Sequence, residues 1–142
     1  MREMHGQLCV RPYQPLDEAS VIDLWKECGL INPQNDPRRD IEMKLKVQPE
    51  LFLVGSVAEK IVAAVMAGYD GHRGWINYLA VSPEMRGSGL GRRMVSEAES
   101  RLKALGCQKV NLLVRESNRG VLGFYERLGF HVEGVVAMGK RI

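Results

Sequence analysis

The spacing of hydrophobic positions changes several times along the chain, and each change marks a predicted element. Short apolar runs rich in β-branched residues, bounded by turn residues, are typical of strands. Residues 51–57 and 61–69 are the clearest, and only three residues separate them, so we predict a hairpin. Further strands are predicted at residues 8–13, 75–81 and 110–114, and residues 130–138 are predicted to form a last strand or strand pair.

Between these strands the apolar residues recur with the period of a helix, about 3.6 residues. The clearest stripe is formed by Leu90, Met94, Val95, Ala98, Leu102 and Leu105. Glycine commonly follows the last residue of a helix, because it adopts the left-handed conformation at little cost. Three helices therefore follow from the pattern, running from Leu16 to Gly29, from Gly89 to Gly106 and from Asn118 to Gly129.

Residues 36–47 give two conflicting signals. Ile41, Met43, Leu45 and Val47 alternate with polar residues, which by itself would predict a strand. However, an aspartate followed by a proline is a common start of a helix, with the carboxylate as cap and the proline in the first turn. Asp36 fits this role, and we therefore predict a second short helix here.

The resulting order is β-α-α-β-β-β-α-β-α-β. It predicts an α+β fold in which a mixed, mainly antiparallel sheet lies between two helical layers, a three-layer α/β/α arrangement. The chain of 142 residues has the length of one domain and shows no repeat or linker, so we expect a single domain over residues 1–142.

Composition excludes several classes of protein. The net charge of +3 is too small to indicate nucleic-acid binding, although it suits a phosphorylated small ligand. The three cysteines share no C-x-x-C spacing and the histidines are scattered, so neither disulfides nor a metal site is expected. No apolar run has membrane-spanning length and no secretion signal is visible, which favours the reducing cytoplasm.

The segment that follows the strand at residues 75–81 is the strongest candidate for a binding site. A proline ends the strand, and the glycine-rich stretch 87–91 then leads into a helix that carries Arg92 and Arg93. Backbone N–H groups at such a helix start bind phosphate groups, and arginines strengthen the contact. Neither the dinucleotide motif G-x-G-x-x-G nor the ATP-type P-loop matches, and a purely structural tight turn is the alternative.

Two motifs in the predicted order of helices and strands resemble the GNAT superfamily of acetyl-coenzyme-A-dependent N-acetyltransferases. The first is Leu79-Ala80-Val81-x-Pro83-x-x-Arg86-Gly87-x-Gly89-Leu90-Gly91, and the second is Glu116-Ser117-Asn118 followed by Gly123-Phe124-Tyr125-Glu126-Arg127-Leu128-Gly129-Phe130. Two helices before a strand meander complete the resemblance, which covers nearly the whole chain. Residues 35–42 and 68–74 further resemble a narrow set of small bacterial members with no assigned acceptor.

The resemblance implies a sheet of about six to seven strands with a splay between the fourth and fifth. It implies acetyl-CoA as cosubstrate, with its pyrophosphate on the glycine turn and its pantetheine arm in the splay, and the Leu79 N–H polarising the thioester carbonyl. Tyr125 would protonate the leaving thiolate. The cofactor-binding residues implied are Leu79, Ala80, Val81, Arg86, Gly87, Ser88, Gly89, Leu90, Gly91, Arg92 and Asn118.

The acceptor side is less determined. Family members that acetylate protein N-termini carry a glutamate where this chain has Leu113, so the general base is left open among Asp36, Asp70, His72, Glu116 and a water near Asn77. The acceptor is expected to be a primary amine of a small molecule or peptide, attacking acetyl-CoA directly. The residues predicted to line its pocket are Trp25, Asn35, Asp36, Arg39, Tyr69, Asp70, His72 and Asn77.

Two further expectations follow. The absence of the usual base leaves a second hypothesis, that the chain is a non-catalytic acyl-CoA-binding regulatory module; the retained Tyr125 argues against it, because a sensor needs no thiolate acid. The resemblance also implies a homodimer formed through the C-terminal strands. Neither nucleic acid nor a membrane is expected as a partner.

Overall fold

The central sheet is a meander in which neighbours in sequence are neighbours in space. A computed structural model of the protein describes residues 7–142. The strands are β1 (Cys9–Pro12), β2 (Phe52–Val57), β3 (Lys60–Tyr69), β4 (Gly74–Val81) and β5 (Val110–Asn111), in the order β1-β2-β3-β4-β5. The first four pair antiparallel, and β4 and β5 pair parallel.

Four helices accompany the sheet, at or close to the positions that the periodicity predicts. They are α1 (Glu18–Glu27), α2 (Pro37–Lys44), α3 (Leu90–Ala104) and α4 (Arg119–Arg127). The second helix is confirmed over the strand alternative, because the Asp36 side chain accepts from the backbone N–H groups of Arg38 and Arg39 at its start. The alternating apolar positions of residues 41–47 are therefore split between the helix and the turn after it.

The strand count differs from the expected six to seven, since the described residues form five strands. The predicted strand 110–114 is reduced to Val110–Asn111, and residues 131–142 contain no strand. The apolar side chains of that last segment are exposed, at Val132, Val135, Val136, Met138 and Ile142. Apolar alternation alone cannot form a strand where no ladder partner is available. The strands predicted to carry a homodimer interface are thus absent from residues 131–142.

The chain divides into a large unit that ends at Asn111 and a small unit, Leu112–Ile142. The large unit contains the sheet with α1, α2 and α3, and the small unit contains α4. The first six residues of the predicted single domain lie outside the described residues, and a single domain over 1–142 stays a prediction.

In the large unit both faces of the sheet are covered. One face packs on α1 and α2 through a core that includes Trp25, Ile41, Phe52 and Ala64. The opposite face packs on α3 so closely that a Cβ at Gly55 would lie 2.9 Å from the Met94 sulfur. The mixed sheet between helical layers confirms the predicted fold class.

Pairing between β4 and β5 is short. It covers only Gly74 with Val110 and Trp75 with Asn111, although β4 continues to Val81. β4 therefore pairs with β3 along most of its length, but only its first two residues pair with β5. The pairing ends where β5 itself ends, so the expected splay between the fourth and fifth strands stays a prediction.

Gly74 lies at the closest approach between β4 and the segment after α3. A Cβ at this position would lie 2.8 Å from the Cys107 Sγ and 3.0 Å from a Leu102 methyl group, both in buried side chains. We expect Gly74→Ala to destabilise the protein by roughly 1–3 kcal/mol, because a packed core resists added volume. Urea unfolding measures this, with Gly139→Ala, which places its Cβ in open space, as control. Equal urea midpoints for the two variants would contradict the packing described.

Candidate functional site

The glycine turn after β4 leads directly into the start of α3. A short 3-10 turn, Pro83–Met85, follows the strand, and Gly89 forms the N-cap of the helix. Gly87 and Gly89 both have φ of 84°, a left-handed conformation that suits glycine, and a Cβ at either would meet nothing within 4 Å. Gly89 offers no side-chain cap, so the first N–H groups of a helix of 15 residues face an open surface.

Two of the residues predicted to bind the cofactor, Arg86 and Ser88, have partners inside this turn or beside it. The Arg86 Nε donates to the Val81 carbonyl at 3.2 Å, and the Ser88 hydroxyl donates to the carbonyl of Met85. Arg92 is exposed in the first turn of α3, and its neighbour Arg93 pairs with Glu97 at 3.5 Å. The Arg86 contact fixes that side chain near the end of β4, while Arg92 carries its charge at the helix start.

β4 contains a bulge at the predicted acetyl-binding position. Its register with β3 passes from Ala64 opposite Ala80 to Met66 opposite Asn77, so two residues of β4, Tyr78 and Leu79, face one residue of β3. Tyr78 has a φ of 53°, which is rare for a non-glycine residue. The regular ladder is therefore interrupted at Leu79, the residue whose N–H is predicted to polarise the thioester.

Beyond the bulge, the orientation of Val81 follows from the ladder. The Ser82 N–H donates to the Val62 carbonyl at 2.8 Å, and in an antiparallel pair the hydrogen-bonded positions alternate. The N–H and carbonyl of Val81 consequently point away from β3. The carbonyl already accepts from Arg86 and from the Cys28 thiol, at 3.2 and 3.3 Å, so the N–H is the group left to pair with a ligand.

The side chain of Tyr78 lies between α1 and α2. Its ring stacks on Trp25 with centroids 4.1 Å apart, and its hydroxyl donates to the Asp40 carboxylate at 2.6 Å. Burial, and then the hydrogen bond and charge of Asp40, raise the pKa of Tyr78 strongly. Trp25 is fully buried, and its indole N–H has no partner among the described residues. Trp25 therefore supports Tyr78 from below and does not line an open pocket as predicted.

The two carboxylates predicted to line the acceptor pocket accept hydrogen bonds from nearby backbone N–H groups. Asp36 caps α2, accepting from Arg38 N–H at 3.1 Å. Asp70 closes the β3–β4 turn, accepting from the N–H groups of His72 and Arg73 at 2.8 and 2.7 Å, and these bonds lower the pKa of its carboxyl. Both carboxylates serve the backbone geometry, which makes them poor candidates for a general base.

The remaining acceptor candidates are scattered over the large unit. The Asn35 N–H donates to the Asn32 carbonyl in the loop before α2, and Arg39 is exposed on that helix. Tyr69 exchanges backbone hydrogen bonds of 2.8 and 3.0 Å with the Gln48 side chain. Asn77 is exposed and lies directly before the bulge. The structure thus brings Asn77 close to Tyr78 and does not gather the others around it.

Sequence reasoning did not single out Asp40 and Lys44, the two charged residues of α2 that form hydrogen bonds with the sheet. Lys44, the last residue of α2, donates to the Ala67 carbonyl of β3 at 2.6 Å, and desolvation lowers the pKa of its ammonium group. Asp40 and Lys44 are four residues apart on one face of α2, and both contact the sheet. This spacing was the available signal, but the competing strand pattern of residues 41–47 obscured it.

In the small unit, Asn118 and Tyr125 occupy defined positions on α4. The Asn118 side chain caps the helix, accepting from the Val121 N–H at 3.3 Å. Tyr125 is buried, with the rings of Phe124 and Phe130 edge-on to it at 5.0 and 5.4 Å. Burial raises the pKa of Tyr125 to about 12. Glu116, one of the candidate bases, and Leu113, at the expected glutamate position, are both exposed.

Comparison with known proteins decides the family. A model of the Acetyltransferase (GNAT) family matches residues 18–130. An acetyltransferase of Yersinia enterocolitica is 47% identical over 133 residues, covering 94% of each chain. The chain belongs to the GNAT acetyltransferase family. A Yersinia pestis relative, also 47% identical over 94% of each chain, is named only as an uncharacterized N-acetyltransferase, in keeping with the expected narrow bacterial set.

Solved structures share the fold of this acetyltransferase at lower identity. Ard1 from Thermoplasma volcanium matches with a TM-score of 0.81 and 23% identity, over 89% of this chain and 84% of that one. The PaiA N-acetyltransferase from Thermoplasma acidophilum, solved with coenzyme A, has a TM-score of 0.80 and 18% identity, over 92% and 93%. Within residues 7–142, no helix is long and apolar enough to cross a membrane, and no His, Cys, Asp and Glu side chains cluster as a metal site.

The raised pKa values of the two tyrosines give a direct test of the geometry. Both Tyr78 and Tyr125 stay protonated well above the usual phenol range, since burial disfavours the charged phenolate. We expect Tyr78→Phe and Tyr125→Phe to leave the tyrosinate absorbance change below about pH 10.5 equal to that of the wild type. A spectrophotometric titration at alkaline pH measures it. A smaller change in either variant would mean that its hydroxyl is solvated.

Proposed function

We propose that this acetyltransferase moves an acetyl group from acetyl-CoA directly to a primary amine of a small molecule or peptide. The observation that carries the proposal is the pairing of a bulged β4 with an open, uncapped helix start only a few residues later. A bulge re-aims backbone groups beside a site, and an uncapped helix start binds anions. The bulge comes first along the chain and the helix start follows it, which is the order in which the thioester and the pyrophosphate occur along acetyl-CoA.

The glycine turn fits the pyrophosphate of coenzyme A. Gly87 and Gly89 keep the surface above them open, and the N–H groups at the start of α3 supply donors at the positive end of the helix dipole. Arg92 adds positive charge in the same turn. Asn118 is assigned to the pantetheine arm by its motif. The coenzyme A present in the Thermoplasma acidophilum neighbour supports the same ligand for this chain.

β4 holds the thioester end in this proposal. The Val81 N–H, which points away from β3, pairs with the pantetheine arm, and the Leu79 N–H at the bulge stabilises the negative charge developing on the thioester oxygen. The acceptor nitrogen attacks the thioester carbon, so the C–N bond forms as the C–S bond breaks. An ammonium acceptor loses two protons, one of which ends on the coenzyme A sulfur and the other in solvent.

We assign Tyr125 as the donor of the proton that the sulfur receives, and one of the two protons released by the acceptor then returns Tyr125 to its phenol form. The assignment rests on the segment from Gly123 to Phe130 and on the burial that keeps the phenol protonated at every physiological pH. A pKa of about 12 makes Tyr125 a weaker acid than a free thiol. Its contribution is therefore a hydrogen bond to sulfur that completes proton transfer only as the C–S bond breaks.

The small-molecule partners in this proposal are acetyl-CoA and the amine, and the compartment is the cytoplasm. Cys9, Cys28 and Cys107 are all free thiols, as a reducing compartment would leave them. No cysteine is assigned to the chemistry, so no acetyl-cysteine is formed. A homodimer remains part of the proposal, although its interface is not assigned to residues 131–142.

The ligand assignment predicts selective stabilisation by coenzyme A. At about one hundred times its Kd, a ligand stabilises a protein by about 2.7 kcal/mol, which raises Tm by several degrees. We expect acetyl-CoA and CoA to do so, and ATP and NAD to have no effect. We further expect Gly89→Ala to weaken CoA binding about tenfold by filling the open turn. Thermal shift and calorimetry measure both effects.

Gly71→Ala is the matched control for this variant. Gly71 also has a positive φ, of 92°, and open space around it, but it lies in the turn between β3 and β4. The two variants therefore have the same backbone penalty, and only Gly89→Ala should change the Kd of CoA. Stabilisation by ATP without stabilisation by CoA would contradict the proposed donor.

Turnover of the wild type separates an enzyme from a regulatory acyl-CoA-binding module, and turnover of Tyr125→Phe tests the acid assignment. General acids contribute typically about 100-fold or more, so we expect turnover to fall roughly 100-fold while the Kd of CoA changes less than about twofold. Thiol release with an amine panel measures turnover. A wild-type protein that binds CoA and acetylates nothing in the panel would favour the regulatory module. Full activity of Tyr125→Phe would remove the acid assignment.

A further inference from the structure

Two opposite charges on α2 face the sheet without neutralising each other. Asp40 and Lys44 lie one helical turn apart, a spacing at which carboxylates and ammonium groups commonly pair. Neither forms an ion pair within residues 7–142. Asp40 instead accepts from Tyr78 of β4, and Lys44 donates to Ala67 of β3. The two charges are therefore held apart by different strands.

Lys44 is a partly buried cation with a neutral partner. Its ammonium group donates to one backbone carbonyl, which leaves further N–H donors available. The negative charge of Glu50 favours the charged form of Lys44, but desolvation is the larger effect and lowers the pKa of Lys44. Charges taken out of water are normally paired with an opposite charge. Lys44 therefore has the properties of an anion-binding group.

β3 has a glycine beside Lys44, so no side chain at position 68 covers the ammonium group. A Cβ at Gly68 would lie 3.9 Å from the Lys44 Nζ and 3.7 Å from the Gln48 Oε1, so Gly68 faces the same side of the sheet as α2. Its partner across the ladder is Trp75, which is 38% exposed and shares that face. An acceptor can rest on this surface with its anionic group at Lys44.

Asp40 is linked to the proposed reaction centre through the side chain of Tyr78. The hydroxyl that it binds belongs to Tyr78, and Tyr78 is directly followed by Leu79, the proposed donor to the thioester oxygen. Only one oxygen of Asp40 accepts from Tyr78, and the other has no recorded partner in the described part of the chain. A cationic amine bound by that oxygen would therefore be held beside the Tyr78 hydroxyl, on the face of the sheet that packs on α1 and α2.

We propose that the acceptor is an amine that also carries a carboxylate, as a free amino acid does, with its ammonium group on Asp40 and its carboxylate on Lys44. This inference rests on the proposed N-acetyltransferase function and narrows its acceptor. It disfavours polyamines, because a second ammonium group would meet Lys44. Asp36 and Asp70, the carboxylates predicted to line the acceptor pocket, are bonded to their own turns.

Matched acceptors test the inference. For each common amino acid, the free acid is compared with its amide and with its decarboxylated amine, and spermidine is included as a polyamine. Thiol release gives kcat/KM, and calorimetry on the CoA-saturated protein gives Kd without turnover. We expect at least one free amino acid to exceed its amide and its amine at least tenfold in kcat/KM and in affinity. Amides or polyamines used equally well would overturn the inference.

Lys44→Gln is the decisive variant, with Lys46→Gln as control because Lys46 is exposed and nearby. Lys44→Gln should raise the KM of the free amino acid about tenfold and leave the amide and the amine within about twofold. Lys44→Arg keeps the charge and should restore most of the preference. Equal weakening of all three acceptors by Lys44→Gln, in a variant whose Tm matches Lys46→Gln, would also overturn the inference.

The outcomes distinguish this inference from the proposed function. Failure of the wild type to bind CoA would remove both. Binding of CoA with transfer to amides or polyamines would leave the acetyltransferase proposal intact and remove only the amino-acid acceptor. Binding of CoA without detectable affinity for any free amino acid would likewise count against the acceptor and not against the donor.

Discussion

The left-handed backbone at Tyr78 is the constraint on which the rest of the site depends. A residue with a side chain in that conformation costs on the order of 1 kcal/mol or more and persists only where its surroundings hold it. Here the Trp25 ring beneath it and the Asp40 carboxylate at its hydroxyl hold it. The extra residue places Asn77 and Tyr78 on the face covered by α1 and α2, and it interrupts the ladder at Leu79.

This constraint also explains the position of α2. Asp36 begins the helix, and one turn later Asp40 reaches β4, so that a single helical turn separates the helix cap from the contact with Tyr78. Lys44 then fastens the end of the same helix to β3. A helix held at its middle and at its last residue by polar contacts with the sheet keeps two charges at fixed positions, as the proposed acceptor site requires. The Asp70 carboxylate is held instead by the backbone of its own turn.

Particular residues show where sequence reasoning succeeded and where it failed. Asp36 and Asn118 were recognised as caps because capping chemistry is local, and the structure has both bonds. The glycine turn was recognised for the same reason. The alternation over residues 130–138 failed as a strand prediction, since a strand needs a partner that the pattern does not supply. Trp25 was expected to line a pocket, but it is fully buried, and its ring stacks on the ring of Tyr78.

The sequence by itself determined the family, the order of most elements and the glycine turn before α3, because caps, glycines and apolar periods act over a few residues. Only the tertiary structure decided which charges face the sheet. Asp40 and Tyr78 are 38 positions apart, and Lys44 and Ala67 are 23 apart. Their pairing depends on the register of β3 with β4 and on a bulge of one residue, and no local pattern encodes either.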